Sequence, residues 1–290
     1  MRSRLAFVAG TLLLVACESD PLYERQLPRD GGVVFVRDGG PTITPDAGTP
    51  DAGTRDSGEP PVAMEPVYIH TGETLFAYDP ATNTTSQIGD FFVTSGQLED
   101  MVDIAIDSEG RLFGGTRQAG SQADANRIYQ IDPETAECRY RFSYDDTLHG
   151  LTFLPDGRLV IAGERVSVVD PISGAQLVEF PAANAYQTSG DIVGLPDGNL
   201  YWTVRGERRM DGSYENDSVV RIDPSTGNIS WLGEAAVTRI YGLGYANGQL
   251  FGFSSMGVVV TIQPENGVVV RQAPLAGRWF GATTNPVLWE

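Results

Sequence analysis

The chain contains no lysine, and all 20 of its basic residues are arginine. This absence excludes any mechanism that depends on a lysine Schiff base or a lysine general base. Against the arginines stand 38 aspartate and glutamate residues, which give a formal net charge of −18 at neutral pH. Because nucleic-acid binding needs a basic surface that neutralises phosphates, this composition disfavours a nucleic-acid partner.

Histidine and cysteine are scarce, with two of each. Two histidines cannot form a three-histidine zinc site, and a Ser-His-Asp arrangement would have to use His70 or His149. We expect Cys138 to be a buried, unreactive thiol, since no base lies near it in the sequence. The sequence also lacks a Gly-x-Ser-x-Gly elbow, a phosphate-binding loop with lysine and EF-hand spacing, so no residue is assigned a catalytic role.

No apolar run is long enough for a permanent membrane-spanning helix. The run at residues 5–16 follows the basic start Met1-Arg-Ser-Arg4 and ends in small residues, which is typical of a secretory signal. Leu14-Val-Ala-Cys17 resembles the bacterial lipobox, and the resemblance implies cleavage before Cys17 and lipidation of its thiol. By analogy with enteric lipoproteins, the glutamate that follows favours the outer membrane. We therefore predict a lipoprotein signal peptide at residues 1–16 and a membrane anchor at Cys17.

Large apolar residues are also rare in residues 17–64. This segment is rich in proline, glycine, aspartate and threonine, as in Pro45-Asp-Ala-Gly-Thr-Pro-Asp-Ala-Gly53. Such a composition cannot bury enough surface to offset its chain entropy. We predict a disordered tether that holds a domain at residues 65–290 away from the membrane, facing the periplasm or the cell surface.

Residues 65–290 show no convincing amphipathic helix, and two kinds of turn recur instead. The first is an Asp-Gly or Asn-Gly turn between apolar strands, as in Pro155-Asp-Gly157, which is typical of a hairpin. The second is an Asp-Pro or Gln-Pro turn, in which proline presets φ. The prolines of this turn are separated by 53, 38, 53 and 40 residues: Pro80, Pro133, Pro171, Pro224 and Pro264. Of the residues three positions after these prolines, only Ala136 does not suit a left-handed backbone.

A period of about 40 to 50 residues with four short strands per unit is typical of a propeller blade. We predict an all-β fold, a β-propeller of five four-stranded blades, with six blades or a twisted two-sheet sandwich as alternatives. The ring should close by pairing of residues 279–284 and 287–289 with Val67-Tyr-Ile69 and the strand at 74–78. Closure of this kind removes the exposed edges that an open sheet would leave.

The pairs of Pro-Asp-Gly and Asp-Pro-x-Thr-Gly turns resemble the bacterial propellers of the NHL, YVTN and SMP-30/gluconolactonase-like groups. The resemblance covers residues 65–290 and consists mostly of turn chemistry, so it indicates the architecture and says little about activity. Propellers of the SMP-30 type hold a divalent cation in the channel, but this chain shows no residue-by-residue match to their ligands.

The phase of the repeat separates two faces of the predicted propeller. Successive loops of an up-and-down blade alternate between the two ends of the sheet, so all Asp-Gly and Asp-Pro turns fall on one face. The opposite face, here called the loop face, receives the longer loops, including 93–100, 144–149, 181–189 and 205–217. Because binding residues concentrate on variable loops carried by a rigid scaffold, we place any site on the loop face near the channel mouth.

The candidate binding residues come from the starts of the inner strands and from the longest loop: Asp100, His149, Asp191, Arg205, Arg208, Arg209, Tyr241 and Trp279. Asp145 and Asp146 could orient His149, and a locally hydrogen-bonded loop histidine is the competing interpretation. The three arginines could recognise a carboxylate, a glycan or a protein partner, against the default of a solvated loop.

Calcium is the one cofactor that the sequence suggests. Asp100, Asp103 and Asp191 could converge on the channel as oxygen ligands for this ion. The competing interpretation is that these carboxylates accept hydrogen bonds from backbone amides at strand ends.

We predict a lipid-anchored envelope protein whose propeller acts as a binding or interaction module through its loop face. The alternative is a metal-dependent hydrolase or lactonase at the channel mouth, which requires several carboxylates within reach of one ion and a concave pocket. An interaction module requires a broad face that bears aromatic residues and arginine. A structural envelope component would need neither feature.

Overall fold

The computed structural model describes residues 67–98, 100–117 and 126–284. The predicted signal peptide, lipidated cysteine and tether and the stretch 287–289 lie outside these ranges. Within the described residues, every regular element is a β-strand except the 3-10 helix Pro181–Ala185. None of the helical structure in this part of the chain is long and apolar enough to cross a membrane.

The described strands form five four-stranded antiparallel sheets and one short hairpin. In chain order the strands are β1 (Val67–His70), β2 (Thr74–Asp79), β3 (Thr84–Asp90), β4 (Phe92–Val93), β5 (Gly96–Gln97), β6 (Met101–Ile106), β7 (Leu112–Thr116), β8 (Asn126–Ile131), β9 (Cys138–Tyr144), β10 (Gly150–Phe153), β11 (Leu159–Ala162), β12 (Val166–Val169), β13 (Gln176–Glu179), β14 (Thr188–Gly194), β15 (Leu200–Val204), β16 (Ser218–Ile222), β17 (Ile229–Glu234), β18 (Ile240–Ala246), β19 (Gln249–Ser254), β20 (Val258–Ile262), β21 (Val269–Pro274) and β22 (Gly281–Thr283).

The five sheets are the blades of a β-propeller. Blade 1 has the order β22-β1-β2-β3, and blades 2 to 5 are the meanders β6–β9, β10–β13, β14–β17 and β18–β21. The first strand of each blade is the inner one, because β6, β10, β14, β18 and β22 contact one another in a closed ring. The predicted five-bladed propeller is therefore confirmed, and the six-bladed and sandwich alternatives are excluded.

Blade 1 closes the ring by joining the two ends of the domain. Strand β22 pairs antiparallel with β1, with Tyr68 opposite Thr283 and His70 opposite Gly281. The predicted pairing with the N-terminal strand is confirmed, whereas the strand at 74–78 pairs with β1 and β3 instead. Since the inner strand of blade 1 comes from the end of the chain, opening the ring would require this whole strand to detach.

The two turn classes lie on one face, as the phase of the repeat predicts. Asp-Gly or Asn-Gly turns join the first and second strands of blades 3 to 5, and Asp107-Ser-Glu-Gly110 joins those of blade 2. Asp-Pro or Gln-Pro turns join the third and fourth strands of all five blades. The residue three positions after each turn proline has a left-handed backbone, with φ between 55° and 72° at Asn83, Ala136, Gly174, Gly227 and Gly267. Ala136 adopts this backbone despite its methyl group, which is fully buried in the core between blades 1 and 2.

The core consists of apolar clusters between neighbouring blades. Trp279 is one of its largest buried side chains: its ring packs edge-to-face on Phe76 at 5.4 Å, and its Nε1 donates to the Leu275 carbonyl oxygen (3.1 Å). Cys138 is also buried, and burial raises the pKa of its thiol to about 12. The expectation of an unreactive Cys138 is thus supported by its surroundings.

Candidate ligand-binding site at the channel mouth

A concave cavity of about 490 Å³ opens on the loop face at the mouth of the central channel. All five blades contribute to this cavity, here called the mouth pocket. Its lining residues are Gly72, Asp100, Met101, Val102, Arg117, His149, Ser189, Gly190, Arg205, Tyr241 and Phe280. Because the inner strands form a rigid ring, the pocket is a preformed depression, as small-molecule sites commonly are.

One side of the mouth pocket is basic. Arg117 follows β7 and Arg205 follows β15, so both extend from the equivalent loop of their blades. An Nη2 atom of Arg117 lies 3.4 Å from His149 Nδ1. Burial lowers the pKa of His149 to about 4, and the charges of Arg117 and Arg205 act in the same direction. His149 is therefore neutral at pH 7.

The tautomer of His149 follows from its neighbour. A guanidinium has only donors, so Nδ1 of the neutral ring must accept from Arg117 and the proton resides on Nε2. Asp146, which the sequence suggested as an orienting partner, instead bonds to Arg165 at 2.5 Å. His149 thus adds a neutral N–H donor beside two guanidinium groups, without adding a charge.

The other side of the mouth pocket is apolar. The rings of Tyr241 and Phe280 are stacked, with centroids 6.1 Å apart and planes inclined by 15°. The guanidinium of Arg278 lies 5.6 Å from the Phe280 centroid, which fixes that ring further. A ligand in this pocket would meet hydrogen-bond donors on one side and aromatic carbon on the other.

Asp100 is the one carboxylate among the described lining residues. Its φ is +62°, a left-handed backbone that aspartate tolerates better than most residues. Its carbonyl oxygen accepts from the Arg117 amide (3.2 Å), which ties it to the loop that carries this arginine. The side chain is exposed and can accept hydrogen bonds from a ligand hydroxyl or amide.

Arg205 is held between the mouth pocket and blade 4. Its backbone N–H donates to the Gln187 carbonyl oxygen (2.8 Å), and its guanidinium lies 5.5 Å from the Tyr214 ring centroid. Behind it, the buried Asp217 accepts from Ser189 Oγ (2.5 Å) and from the Ile240 amide (2.7 Å). Burial raises the pKa of Asp217 to about 6, although these hydrogen bonds and Arg205 oppose the rise.

One residue deeper than the mouth pocket, the channel is closed by a level that we call the carboxylate layer. It contains one residue from each inner strand: Asp103, Gly150, Asp191, Gly242 and Gly281. There is no room for another side chain at the glycines: a Cβ on Gly281 would overlap Asp103 Oδ1 and His70 Nε2. One on Gly150 would lie 3.2 Å from the Asp191 Cα. The three glycines let the two carboxyl groups reach across the channel.

Asp191 binds backbone amides of three blades. It accepts from Ile192 of blade 4 (2.6 Å), Leu243 of blade 5 (2.5 Å) and Ala282 of blade 1 (3.3 Å). These inner-strand N–H groups point into the channel and would otherwise be buried without a partner. Asp191 therefore fastens three of the five inner strands to one another.

Asp103 completes the same arrangement on the other two blades. Its Oδ2 accepts from the Leu151 amide of blade 3 (2.5 Å), and it also bonds the Ile104 amide of its own blade 2. The two aspartates together thus accept from one amide of every blade. This supports the interpretation that these carboxylates serve backbone amides at strand ends.

Burial favours the neutral form of both carboxyl groups in the carboxylate layer. Burial raises the pKa of Asp103 well above its usual range, and the nearby Asp191 carboxylate raises it further. Burial also raises the pKa of Asp191. Next to them, burial lowers the pKa of His70 to about 4, and its Nδ1 donates to the Thr71 carbonyl oxygen (2.5 Å). His70 Nε2 and Asp103 Oδ1 are buried without hydrogen-bond partners among the described residues.

The predicted binding residues separate into two groups. Asp100, His149, Arg205 and Tyr241 meet in the mouth pocket. The other four lie elsewhere: Asp191 in the carboxylate layer, Trp279 in the core, Arg208 in a groove of blade 4, and Arg209 near Glu215 at 3.8 Å. The prediction of Trp279 as a binding residue is not supported by this placement, because its ring is 2% exposed. Of the three arginines, Arg205 and Arg208 line the same groove, and Arg209 is not among its lining residues.

The candidate calcium ligands do not form a cluster. Asp103 and Asp191 are fully buried and bonded to amides, whereas Asp100 is exposed at the mouth. In the described ranges, no group of three or more histidine, cysteine, aspartate or glutamate side chains could hold a metal ion. Calcium binding stays a prediction for which the arrangement of these three residues gives no support.

Arg117 and Phe280, which supply a charge and an aromatic ring to the mouth pocket, were not among the candidates. The signal for Phe280 was available: His149, Tyr241 and Phe280 each precede a glycine of the carboxylate layer, Gly150, Gly242 and Gly281. In this register the counterpart of His149 in blade 4 is Gly190 and not Asp191. Arg117 carries no comparable signal, because the loop that follows it has no repeated pattern.

Comparison with known proteins shows no match to a protein-family model and none to a curated protein. Among solved structures, the chain is similar to hydrazine synthase of Kuenenia stuttgartiensis, with 12% identity and a TM-score of 0.46 over 76% of this chain and 86% of that one. It is also similar to the extracellular domain of a proposed one-component system from B. thetaiotaomicron, with 15% identity and a TM-score of 0.41. That match covers 72% of this chain, which spans only 30% of the length of that protein.

Proposed function

We propose that this protein is a binding module of the cell envelope whose mouth pocket holds a small ligand that bears a carboxylate. The observation that supports the proposal is the convergence of Arg117, Arg205 and the neutral His149 in a concave pocket walled by all five blades. The envelope location rests on residues 1–17 alone, in which the signal and lipobox pattern implies lipidation of Cys17.

A carboxylate suits the basic side of the pocket for geometric reasons. A guanidinium presents parallel N–H donors that match the two oxygens of a carboxylate, and such charge-assisted pairs are stronger than neutral hydrogen bonds. Among the described residues, neither Arg117 nor Arg205 forms an ion pair with an acidic side chain. In a chain of net charge −18, two such arginines in one pocket provide local attraction for an anion.

The apolar side of the pocket suits the rest of the ligand. Tyr241 and Phe280 offer aromatic carbon within a cavity of about 490 Å³, which is large enough for a compact organic acid. The exposed Asp100 would accept from a ligand hydroxyl or amide. The proposed ligand is thus an organic acid with an apolar or ring-shaped body.

Calorimetric titration of the purified protein tests this proposal with phenylacetate and D-galacturonate, each paired with its neutral counterpart, phenylacetamide or D-galactose. We expect at least one acid to bind and its neutral counterpart to bind at least about tenfold more weakly. Arg117→Gln and Arg205→Gln should each weaken binding of the acid by about tenfold or more. Arg208→Gln is the matched control, because it lies on the same loop as Arg205 and outside the mouth pocket.

His149 should add no pH dependence to the affinity between pH 6 and pH 8, because its pKa is about 4 and its charge does not change in this range. The proposal is wrong if neither acid binds, or if both arginine variants bind the acid as the unmodified protein does.

A further inference from the structure

A second cavity, of about 830 Å³, lies along blade 4 and is here called the blade-4 groove. Three segments form it: the stretch that leads into β14, the loop between β15 and β16, and the outer strand β17. The side chains that matter for its chemistry are Tyr186, Glu207, Tyr214, Asn216, Trp231 and Glu234. Arg205 is the one described residue that lines both this groove and the mouth pocket.

The groove displays aromatic rings to solvent. Trp231 is 61% exposed and Tyr214 is 37% exposed, although residues of this size are usually buried. Tyr186 packs edge-to-face on the core residue Trp202 at 6.3 Å, so its ring is held in place from behind. Trp231 belongs to neither of the two core clusters of its blade.

Hydrogen-bonding groups surround these rings. Asn216 Nδ2 donates to Glu234 Oε1 (2.6 Å), which fixes an amide and a carboxylate side by side. The Glu215 backbone N–H donates to the Glu207 carbonyl oxygen (2.9 Å), which shapes the rim that carries the Glu207 side chain. The carboxylate oxygens of Glu207 and Glu234 have lone pairs left for donors from outside the protein.

We propose that the blade-4 groove binds an uncharged oligosaccharide. Sugar rings present C–H faces that pack on aromatic rings, while their hydroxyl groups donate to carboxylates and accept from amides. The three glutamates of the lining, Glu207, Glu215 and Glu234, outnumber its two arginines, so the groove does not attract an anion as the mouth pocket does. A protein partner is disfavoured by these three glutamates, because glutamate is depleted from such interfaces.

Blade 2 offers a matched control for the role of Trp231. Trp231 lies opposite Val220, directly after a register shift between Val219 and Val220. In blade 2, Tyr140 lies opposite Tyr129, directly after the equivalent shift, and is 55% exposed. Both rings are therefore exposed aromatic side chains at the same position of an outer strand, but only Trp231 lies in the groove.

The test is calorimetric titration of the purified protein with cellohexaose, maltohexaose, xylohexaose and chitohexaose. We expect at least one of them to bind, Trp231→Ala to weaken that binding by at least about tenfold and Tyr140→Ala to leave it unchanged. The proposal is overturned if none of the four binds or if Trp231→Ala binds as the unmodified protein does. Binding of the acids in the mouth pocket should be the same in Trp231→Ala, so this result is independent of the proposed function.

Discussion

The mouth pocket and the carboxylate layer lie one residue apart on the same five inner strands, yet their polar groups have opposite tasks. At the mouth, Arg117, Arg205 and Asp100 are exposed and can turn toward a ligand. In the carboxylate layer, Asp103 and Asp191 are fully buried, and their oxygens accept from backbone amides. An acidic residue near a propeller channel is therefore a ligand-binding candidate only if its carboxylate does not already accept hydrogen bonds from the backbone amides of the inner strands.

The largest difference between the two levels is expected for the same substitution made in each. In Asp191→Asn, one carboxyl oxygen becomes an NH2 group that faces an amide N–H of Ile192, Leu243 or Ala282. We expect a loss of about 2 to 3 kcal/mol in the free energy of unfolding, since buried donors are left without acceptors.

Asp100→Asn is the control at the mouth, where the side chain is exposed, and should change stability by less than about 0.5 kcal/mol. Urea denaturation of both variants measures the difference. Equal effects of the two substitutions would contradict the distinction between the levels.

A second difference concerns space. In Gly281→Ala the new methyl group would overlap Asp103 Oδ1 and His70 Nε2, and we expect a loss of about 1 to 3 kcal/mol from overpacking. Gly72→Ala is the matched change at the mouth, where the nearest atom to a new Cβ is the Asp100 nitrogen at 3.9 Å. It should be neutral or slightly stabilising. The melting temperatures of the two variants measure this difference. A lower melting temperature for Gly72→Ala than for the unmodified protein would contradict the conclusion that the mouth has space for a side chain at this position.

The smallest effect, and the most specific one, is a pH dependence in the carboxylate layer. The pKa of Asp103 is higher in the folded protein than in the unfolded chain, so its contribution to stability is present at low pH and is lost as the pH rises. Asp103→Asn does not titrate, and its amide can donate to the unpartnered His70 Nε2.

The stability of Asp103→Asn relative to the unmodified protein should therefore increase by at least about 1 kcal/mol between pH 5 and pH 9. Urea denaturation across this range measures it. A difference that stays constant with pH would show that Asp103 is already ionised at pH 5.

The architecture could be predicted because its signals are local. An Asp-Gly or Asp-Pro turn depends on residues within four positions of one another, so the strands on each side and the face of each turn follow from the sequence. Ala136 shows the limit of such rules: its left-handed backbone would not be expected from the residue type. There, the burial of its methyl group and the hydrogen bond from its N–H to the Asp132 carbonyl oxygen (2.8 Å) accompany the unfavourable φ.

The candidate site could be predicted only in part, because the starts of the inner strands carry no mark in the sequence. Register shifts lie between Met101 and Asp103 in β6, between Thr188 and Ile192 in β14 and between Ile240 and Gly242 in β18. A slip of one residue exchanges a side chain at the mouth for one in the layer below. For this reason the sequence predicts Asp191 at the level of His149 and Asp103 as a calcium ligand beside Asp100. In the structure, Asp191 and Asp103 lie in the carboxylate layer.

The sequence by itself determined the repeat, the five-bladed propeller and the face on which the long loops gather. It also determined the strongly acidic composition. Only the tertiary structure decided which residue of each inner strand reaches the mouth and which closes the channel. The reason is that five backbone amides from distant parts of the chain converge at one level and need hydrogen-bond acceptors. Asp103 and Asp191 supply these acceptors, and their role is therefore structural.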